Sequence, residues 1–145
     1  MNELDKILRQ VLSDVFVMYF KSHAFHWNVT GPYFTVMHDF FGDVYTQLHS
    51  SIDPLAEQIR IHTGYAPTSL TDMYAPTKII ESTKVGSDVS GMIQELIADN
   101  LVVTQHYKQA FELADKMNLQ GLVDFLGGAI DEQDKLGWKL RSHLS

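Results

Sequence analysis

The sequence predicts an all-α protein built as a four-helix bundle. Apolar residues recur at spacings of three and four positions along four long stretches, which is the periodicity of a helix with one buried face. A long connection, residues 64–87, separates the second stretch from the third. Few segments show the alternation typical of a strand. These three observations favour two helical pairs joined by one long crossover.

The first helix is predicted to run from about Glu3 to Trp27. Asn2 is a good N-cap, because its side-chain oxygen can accept a hydrogen bond from the first helical turn. The helix should end before Gly31 and Pro32, since these two residues together break a helix. The face expected to pack inward carries Ile7, Val11, Val15, Met18, Ser22 and Phe25.

The second helix is predicted to run from about Phe34 to His62, with Gly64 beyond its end as a C′ residue. Pro54 lies inside this helix and should kink it, because proline cannot donate the backbone hydrogen bond. Asp53 and Pro54 would also suit a helix start with Asp53 as its N-cap, and both interpretations stay open here. The inward face should carry Phe34, Phe41, Tyr45, Leu48, Ile52 and Ile59.

The crossover at residues 64–87 is longer than most loops of a small domain, so we expect it to contain a short helix. Residues 76–81 are the best candidate. The third long helix should begin near Ser87 or Ser90 and end at about Met117.

The fourth long helix should span roughly Gln120 to Leu144. Gly127 and Gly128 lie inside it and cost about 1 kcal/mol each relative to Ala, so we expect close packing at that point. Two helices, a long crossover and two more helices are typical of a ferritin-like bundle. We expect residues 1–145 to form one such domain.

The composition argues against several classes of partner. The net charge of −7 and the absence of a basic stripe disfavour direct DNA binding, and because the first helix is predicted to begin at Glu3 we expect no basic arm. There is no cysteine, so neither a disulfide nor a thiolate metal site is expected. No run of eighteen apolar residues and no signal-peptide core occur. We therefore expect a cytoplasmic protein without a membrane partner.

A di-iron site inside one bundle is not predicted. Such bundles usually carry Glu-x-x-His motifs, and this chain has none. The residues three positions after Glu57, Glu95, Glu112 and Glu132 are Arg60, Ala98, Asp115 and Lys135.

One edge of the second helix offers another set of ligands. At about 100° per residue, His38, Asp53 and Glu57 share an edge of the buried face, and the two carboxylates can converge on one cation. His38 and Asp53, however, lie about 22 Å apart along a helix. Two antiparallel copies that cross on a two-fold axis near Gln47 would bring His38 of one chain to both acids of the other, twice per dimer. With His26 beside His38, this set suits Fe(II) and also Zn²⁺.

These residues resemble a known family. The chain is similar to the Dps proteins, the mini-ferritins, over nearly its whole length. The resemblance implies a dodecameric shell, built from two-fold dimers, that oxidises ferrous iron with hydrogen peroxide or dioxygen at ferroxidase centres between subunits. It implies ligands matching His26 and His38 from one subunit and Asp53 and Glu57 from its partner. The matching motif is His26-Trp27-Asn28-Val29-Thr30-Gly31, then Phe34 and His38, then Asp53-Pro54-Leu55-Ala56-Glu57.

Further roles follow from the same resemblance. Trp27 resembles a family tryptophan that intercepts stray oxidising equivalents. Acidic residues near the start of the last helix line iron pores in the family, which makes Asp124 and Asp131 candidates and Asp134 a weaker one.

The chain departs from the family pattern at one ligand. The family has an aspartate one turn after the second histidine, where this chain has Gly42. Asp43 points too far round the helix to replace it, and His23 is a candidate substitute. Two alternatives to an iron-oxidising cage therefore stay open: a non-enzymatic shell whose degraded site holds one metal such as zinc, and a DNA-compacting protein.

Overall fold

The fold is known from a computed structural model that describes residues 2–82 and 88–144. Within these ranges all regular structure is helical, which confirms the all-α class. No helix there combines the length and apolar character that spanning a membrane requires. The helices are α1 (Glu3–Asn28), α2 (Phe34–His62), α3 (Leu70–Tyr74), α4 (Val89–Lys116) and α5 (Gln120–Ser142).

Helix α1 is central to the packing, since it contacts α2, α3 and α4. Asn2 caps it as predicted, with its side-chain oxygen 2.7 Å from the backbone nitrogen of Asp5. Its last turn closes with a hydrogen bond from the Val29 N–H to the Phe25 carbonyl. Gly31 then adopts a φ of +121°, which only glycine adopts without strain, and the chain reverses into α2.

Helix α2 runs without a break through Pro54. Asp53 therefore lies in the helix interior, and its interpretation as an N-cap is wrong. Gly64 follows the C-cap as predicted, and its N–H donates to the Ile59 carbonyl. Phe34, expected to point inward, is instead 43% exposed, because it lies in the first turn, where its ring stacks on His38.

The crossover contains a short helix, but at Leu70–Tyr74 and not at residues 76–81. Ser69 caps this helix by accepting from the Asp72 N–H. Residues 76–81 are not helical, and polar groups among them bond to side chains of α1. The third long helix is capped by Asp88, which accepts from the Gly91 N–H, so Ser90 is not its cap. Ser87 lies outside the described residues.

Two buried charged residues of α1 hold the crossover and α4 in place, and we call the group around them the interior polar network. Asp14 is fully buried. Its carboxylate lies 2.9 Å from both Thr77 Oγ1 and the Lys78 backbone nitrogen, and 2.5 Å from His106 Nδ1. Three segments of the chain thus meet at one side chain.

Lys21 is the second member of the interior polar network. Its ammonium lies 2.8 Å from Asp99, 3.4 Å from Glu95 and 2.9 Å from the Ile80 carbonyl. Burial raises the pKa of Asp99 to about 6, although Lys21 opposes the shift. Asp14 and Lys21 therefore each have an ion-pair partner within the same chain.

Close packing between α4 and α5 occurs at a different glycine from the predicted pair. A Cβ on Gly127 would lie 3.7 Å from the Phe111 ring, and one on Gly128 would meet nothing within 4 Å, so the prediction for Gly128 is wrong within one chain. At Gly137 a Cβ would lie 2.6 Å from Asn100 Oδ1. The glycine required by packing is Gly137.

Candidate metal centre

The ends of α1 and α2 bring His26 and His38 together as predicted. Their rings stack with centroids 3.8 Å apart. Each imidazole also bonds to the backbone of the other residue: His26 Nδ1 lies 2.6 Å from the His38 carbonyl oxygen, and His38 Nδ1 lies 2.7 Å from the His26 carbonyl oxygen. This reciprocal pair fixes both ring orientations across the turn at Gly31.

The two hydrogen bonds also decide which nitrogen of each ring can bind a metal. A carbonyl oxygen only accepts, so each Nδ1 must carry the proton. In the neutral ring the lone pair is then on Nε2. Metal-binding histidines usually donate their other ring N–H to a carbonyl or carboxylate in this way. Nε2 is therefore the ring nitrogen of His26 and of His38 that could bind an ion.

Gly42 lies directly against this pair. A Cβ at Gly42 would come within 3.2 Å of His26 Nδ1 and 3.3 Å of His26 Cε1. The His26 ring thus occupies the space next to the position where the family pattern has an aspartate. The absence of a side chain at Gly42 removes one carboxylate and makes room for this placement of the ring.

Asp53 and Glu57 lie on α2, away from the two imidazoles. Both side chains are exposed in the isolated chain, and the uninterrupted helix keeps them one turn apart on the same edge. Within residues 2–82 and 88–144, no group of three or more histidine and acidic side chains of one chain could hold a metal. The two imidazoles and the two carboxylates that the sequence predicts as ligands therefore form two separate groups within one chain.

His23 lies one turn before His26 in a group of aromatic side chains. Its ring stacks flat on Tyr45, with centroids 3.8 Å apart, and lies 4.2 Å from the Trp27 ring. Its Nδ1 is 3.0 Å from the Tyr19 hydroxyl. Burial, with smaller effects from His26 and His49, lowers the pKa of His23. Trp27 is 56% exposed and contacts His23, as well as the edge of Phe20.

Sequence reasoning missed Tyr19, Tyr45 and His49 as neighbours of the site. The ring of His49 is exposed and lies 5.0 Å from Tyr19. A signal was present, because His49 is four residues before Asp53 and shares its edge of α2. We call the surface formed by His23, His26, His38 and His49 the imidazole face.

The predicted pore residues lie elsewhere. Asp124 and Asp131 are both exposed on α5. Asp124 lines a groove between α2 and α5 together with Ser50 and Ser51. Asp134 is also exposed on α5.

With this geometry established, comparison with known proteins identifies the class of protein. Residues 5–145 match the family described as Ferritin-like domain. The "DNA protection during starvation protein 2" of Bacillus anthracis is 29% identical over 140 residues, which cover 97% of this chain and 95% of the relative. The "DNA protection during starvation protein" of Helicobacter pylori J99 is 27% identical over 141 residues, 97% of each chain.

Solved structures of Dps proteins are also similar to this chain. Dps from Staphylococcus aureus superposes with a TM-score of 0.92 at 30% identity, covering 99% of this chain and 95% of that one. The Dps protein from Vibrio cholerae O1, described as a member of a broad superfamily of ferritin-like diiron-carboxylate proteins, superposes with a TM-score of 0.93 at 28% identity, covering 99% and 89%. The chain therefore belongs to the ferritin-like family and, within it, to the Dps proteins.

Proposed function

We propose that this protein oxidises ferrous iron at sites shared by two copies of the chain and stores the ferric product inside a homo-oligomeric shell, a dodecamer. The observation that carries the proposal is the reciprocal bonding of His26 and His38, which uses both Nδ1 atoms and leaves both Nε2 atoms available to an ion. Membership of the Dps group supports the iron chemistry, and the exposed carboxylates supply the complementary half-site.

The proposed site requires a partner subunit. His38 and Asp53 lie about 22 Å apart along α2, so the two half-sites of one chain cannot bind one ion together. Two α2 helices that cross antiparallel near Gln47 place His26 and His38 opposite the partner's Asp53 and the partner's Glu57, twice per dimer. The exposed rings of Phe20 and Trp27, 52% and 56% accessible in the isolated chain, lie beside this face and would be covered.

Ferrous iron is the substrate in this proposal. The imidazoles and the partner's carboxylates would hold Fe(II), and the negative oxygens favour the higher charge of the ferric product. Two ferrous ions each lose one electron, and one hydrogen peroxide takes both electrons and two protons to become two water molecules. No hydroxyl radical forms when both electrons are used together. Trp27 would intercept oxidising equivalents that escape, and Asp124 and Asp131 would guide iron through the shell.

The proposal is tested by changing each half-site separately. His38→Ala, or Asp53→Asn together with Glu57→Gln, should slow peroxide-driven oxidation of ferrous iron at least tenfold, an estimate of about 1.4 kcal/mol in the barrier. His62→Ala, at the far end of α2, is the matched control and should leave the rate unchanged. Light scattering should give the same particle mass for all variants. Parent-like oxidation by both half-site variants would refute the proposal.

Gly42 supports a second candidate, a shell whose site holds one structural or scavenged ion such as Zn²⁺. One carboxylate fewer leaves a ligand set richer in imidazole, which suits zinc. Calorimetry would then find one tight zinc per site and no burst of iron oxidation. Gly42→Asp should gain oxidation activity in that case, provided that the His26 ring moves a few tenths of an ångström to admit the new Cβ.

DNA protection, which is part of the printed names of several relatives, is the third candidate. The net charge of −7 argues against direct DNA binding by this chain. We expect no gel shift with duplex DNA at physiological salt, and a salt-sensitive shift would overturn that expectation.

A further inference from the structure

We propose that the partner subunit's His49 occupies the coordination position that the missing side chain at Gly42 leaves open. This inference rests on the proposed two-subunit site and adds a ligand to it. The donors from one chain would be His26 and His38, and the partner would supply an imidazole as well as its two carboxylates.

The register of two antiparallel α2 helices carries the argument. Suppose that His38 faces the partner's Asp53. Because the helices are antiparallel, the residue four positions after His38 then faces the residue four positions before the partner's Asp53. Four residues after His38 is Gly42, and four residues before Asp53 is His49. In this register the two-fold axis passes between Tyr45 and Thr46, and Gly42 of one chain faces the partner's His49.

The angular positions agree with this register. Gly42 and His49 are seven residues apart, which places them within about 20° of each other around the helix axis. His38 and His49 are also within about 20°. All three positions thus lie on the edge of α2 that would face the second helix, and Gly42 is the one that contributes no side chain.

The surroundings of the two candidate histidines distinguish them. His23 is held by the Tyr19 hydroxyl at Nδ1 and by a flat stack on Tyr45, and it forms no three-ligand group with His26 and His38 in the described part of one chain. His49 is exposed, its ring leans on Tyr19, and neither of its ring nitrogens has a hydrogen-bond partner among the described residues. His49 is therefore the imidazole that is free to bind an ion across the axis.

Replacing the aspartate of the family pattern by the partner's His49 would change the charge and the ligand type of the site. An aspartate contributes a negative charge and hard oxygen, whereas His49 contributes a neutral nitrogen. The resulting set of three imidazoles and two carboxylates has one negative charge fewer than the family pattern. Nitrogen ligands favour the later divalent metals, so the substitution should raise the preference of the site for zinc relative to Fe(II).

Crosslinking tests the register directly, because the chain has no cysteine of its own. Gly42→Cys combined with His49→Cys should give a covalent dimer with a short bis-maleimide. The two cysteines of one chain are about 10 Å apart along the helix, and an internal crosslink would give no dimer band. The matched control is Gly42→Cys combined with His62→Cys, which should stay monomeric on a denaturing gel. Dimers from the control or from either single variant, or none from the test pair, would overturn the register.

Zinc calorimetry on the intact assembly tests the ligand role. His49→Gln should weaken zinc binding by at least about tenfold, the lower end of the loss seen when even an outer partner of a metal ligand is removed. His62→Gln should bind like the parent, and His38→Gln should lose the site. Parent-like binding by His49→Gln, together with loss in His38→Gln, would refute this inference and leave the proposed function standing. Parent-like zinc binding by His49→Gln and also by His38→Gln would refute this inference and the proposed function.

Discussion

The interior polar network and the imidazole face use similar side chains in opposite ways. In the network, every charged member finds its partner in the same chain: Asp14 meets His106, and Lys21 meets Asp99. On the imidazole face, His26 and His38 belong to no group of three or more histidine and acidic side chains that could hold a metal within the described part of one chain. Buried charges must be compensated locally because desolvation is costly, whereas the half-buried His26 and His38 need no acidic partner within their own chain. Groups that are paired within the chain thus contribute to stability, and the proposed site uses groups without an acidic partner in the described part of their own chain.

The largest difference in stability is expected when one side chain is removed from the interior polar network and one from the imidazole face. Asp14→Ala leaves His106, Thr77 and Lys78 without their acceptor and should lower the free energy of unfolding by about 3–5 kcal/mol. His38→Ala removes one hydrogen bond at an exposed edge and should cost about 1 kcal/mol. Urea unfolding at one fixed protein concentration measures both. The control Asp115→Ala, an exposed site, should stay within about 0.5 kcal/mol of the parent. Equal losses for Asp14→Ala and His38→Ala would remove the distinction.

Lys21→Met probes the network through pH. The folded-state pKa of Asp99 is already raised to about 6 by burial, and loss of the opposing ammonium should raise it further. An acid with a raised pKa stabilises the fold while it is protonated and loses that contribution as pH rises through its folded pKa. The variant should therefore lose about 3–5 kcal/mol at pH 8 and clearly less at pH 5.

Lys108→Met, on the exposed side of α4, is the control for that experiment. It should change stability little at either pH. A Lys21→Met loss that is the same at pH 5 and pH 8 would show that Asp99 does not titrate as described.

Alanine substitutions at two glycines of α5 should change the stability by smaller amounts and in opposite directions. Gly137→Ala places a methyl group 2.6 Å from Asn100 Oδ1, and Asn100 is itself held by Gln133, so the variant should lose about 1–3 kcal/mol. Gly128→Ala meets nothing within 4 Å and should be neutral or gain up to about 1 kcal/mol from helix propensity. Thermal unfolding ranks them, and a stabilised Gly137→Ala would contradict the packing described.

The smallest effect is expected on the open side of α5. Asp124→Asn with Asp131→Asn should slow iron uptake a few-fold at low salt, because exposed acids raise the local concentration of cations. The difference should fade at high salt, where screening shortens the range of these charges. Glu112→Gln with Asp115→Asn removes the same charge from α4 and should have no effect. Equal slowing by both pairs would indicate net charge and not a pore.

Much of the fold could be predicted from local signals. The periodicity of apolar residues gave the four long helices, Asn2 gave the first cap, and Gly31 with Pro32 gave the turn that joins α1 to α2. The crossover was harder: its helix lies at Leu70–Tyr74 because residues 76–81 bond to Asp14 and Lys21, some sixty positions earlier. No local pattern reports such long-range bonds. The same reason explains why Gly137, and not Gly128, is the closely packed glycine.

The sequence by itself determined the helical pairs, the Dps resemblance, the candidate ligands and the absence of the carboxylate at Gly42. Spacing along a helix is a local property, so it also determined that His38 and Asp53 cannot serve the same ion within one chain. Only the tertiary structure decided which ring nitrogens of His26 and His38 could bind a metal. The Nδ1–H of each ring donates to the backbone carbonyl of the other residue across the turn, so only Nε2 remains. It also showed that the His23 ring contacts the Tyr19 hydroxyl and stacks on Tyr45, whereas the His49 ring is exposed and contacts Tyr19. These distinctions depend on contacts between α1 and α2, which no single helix contains.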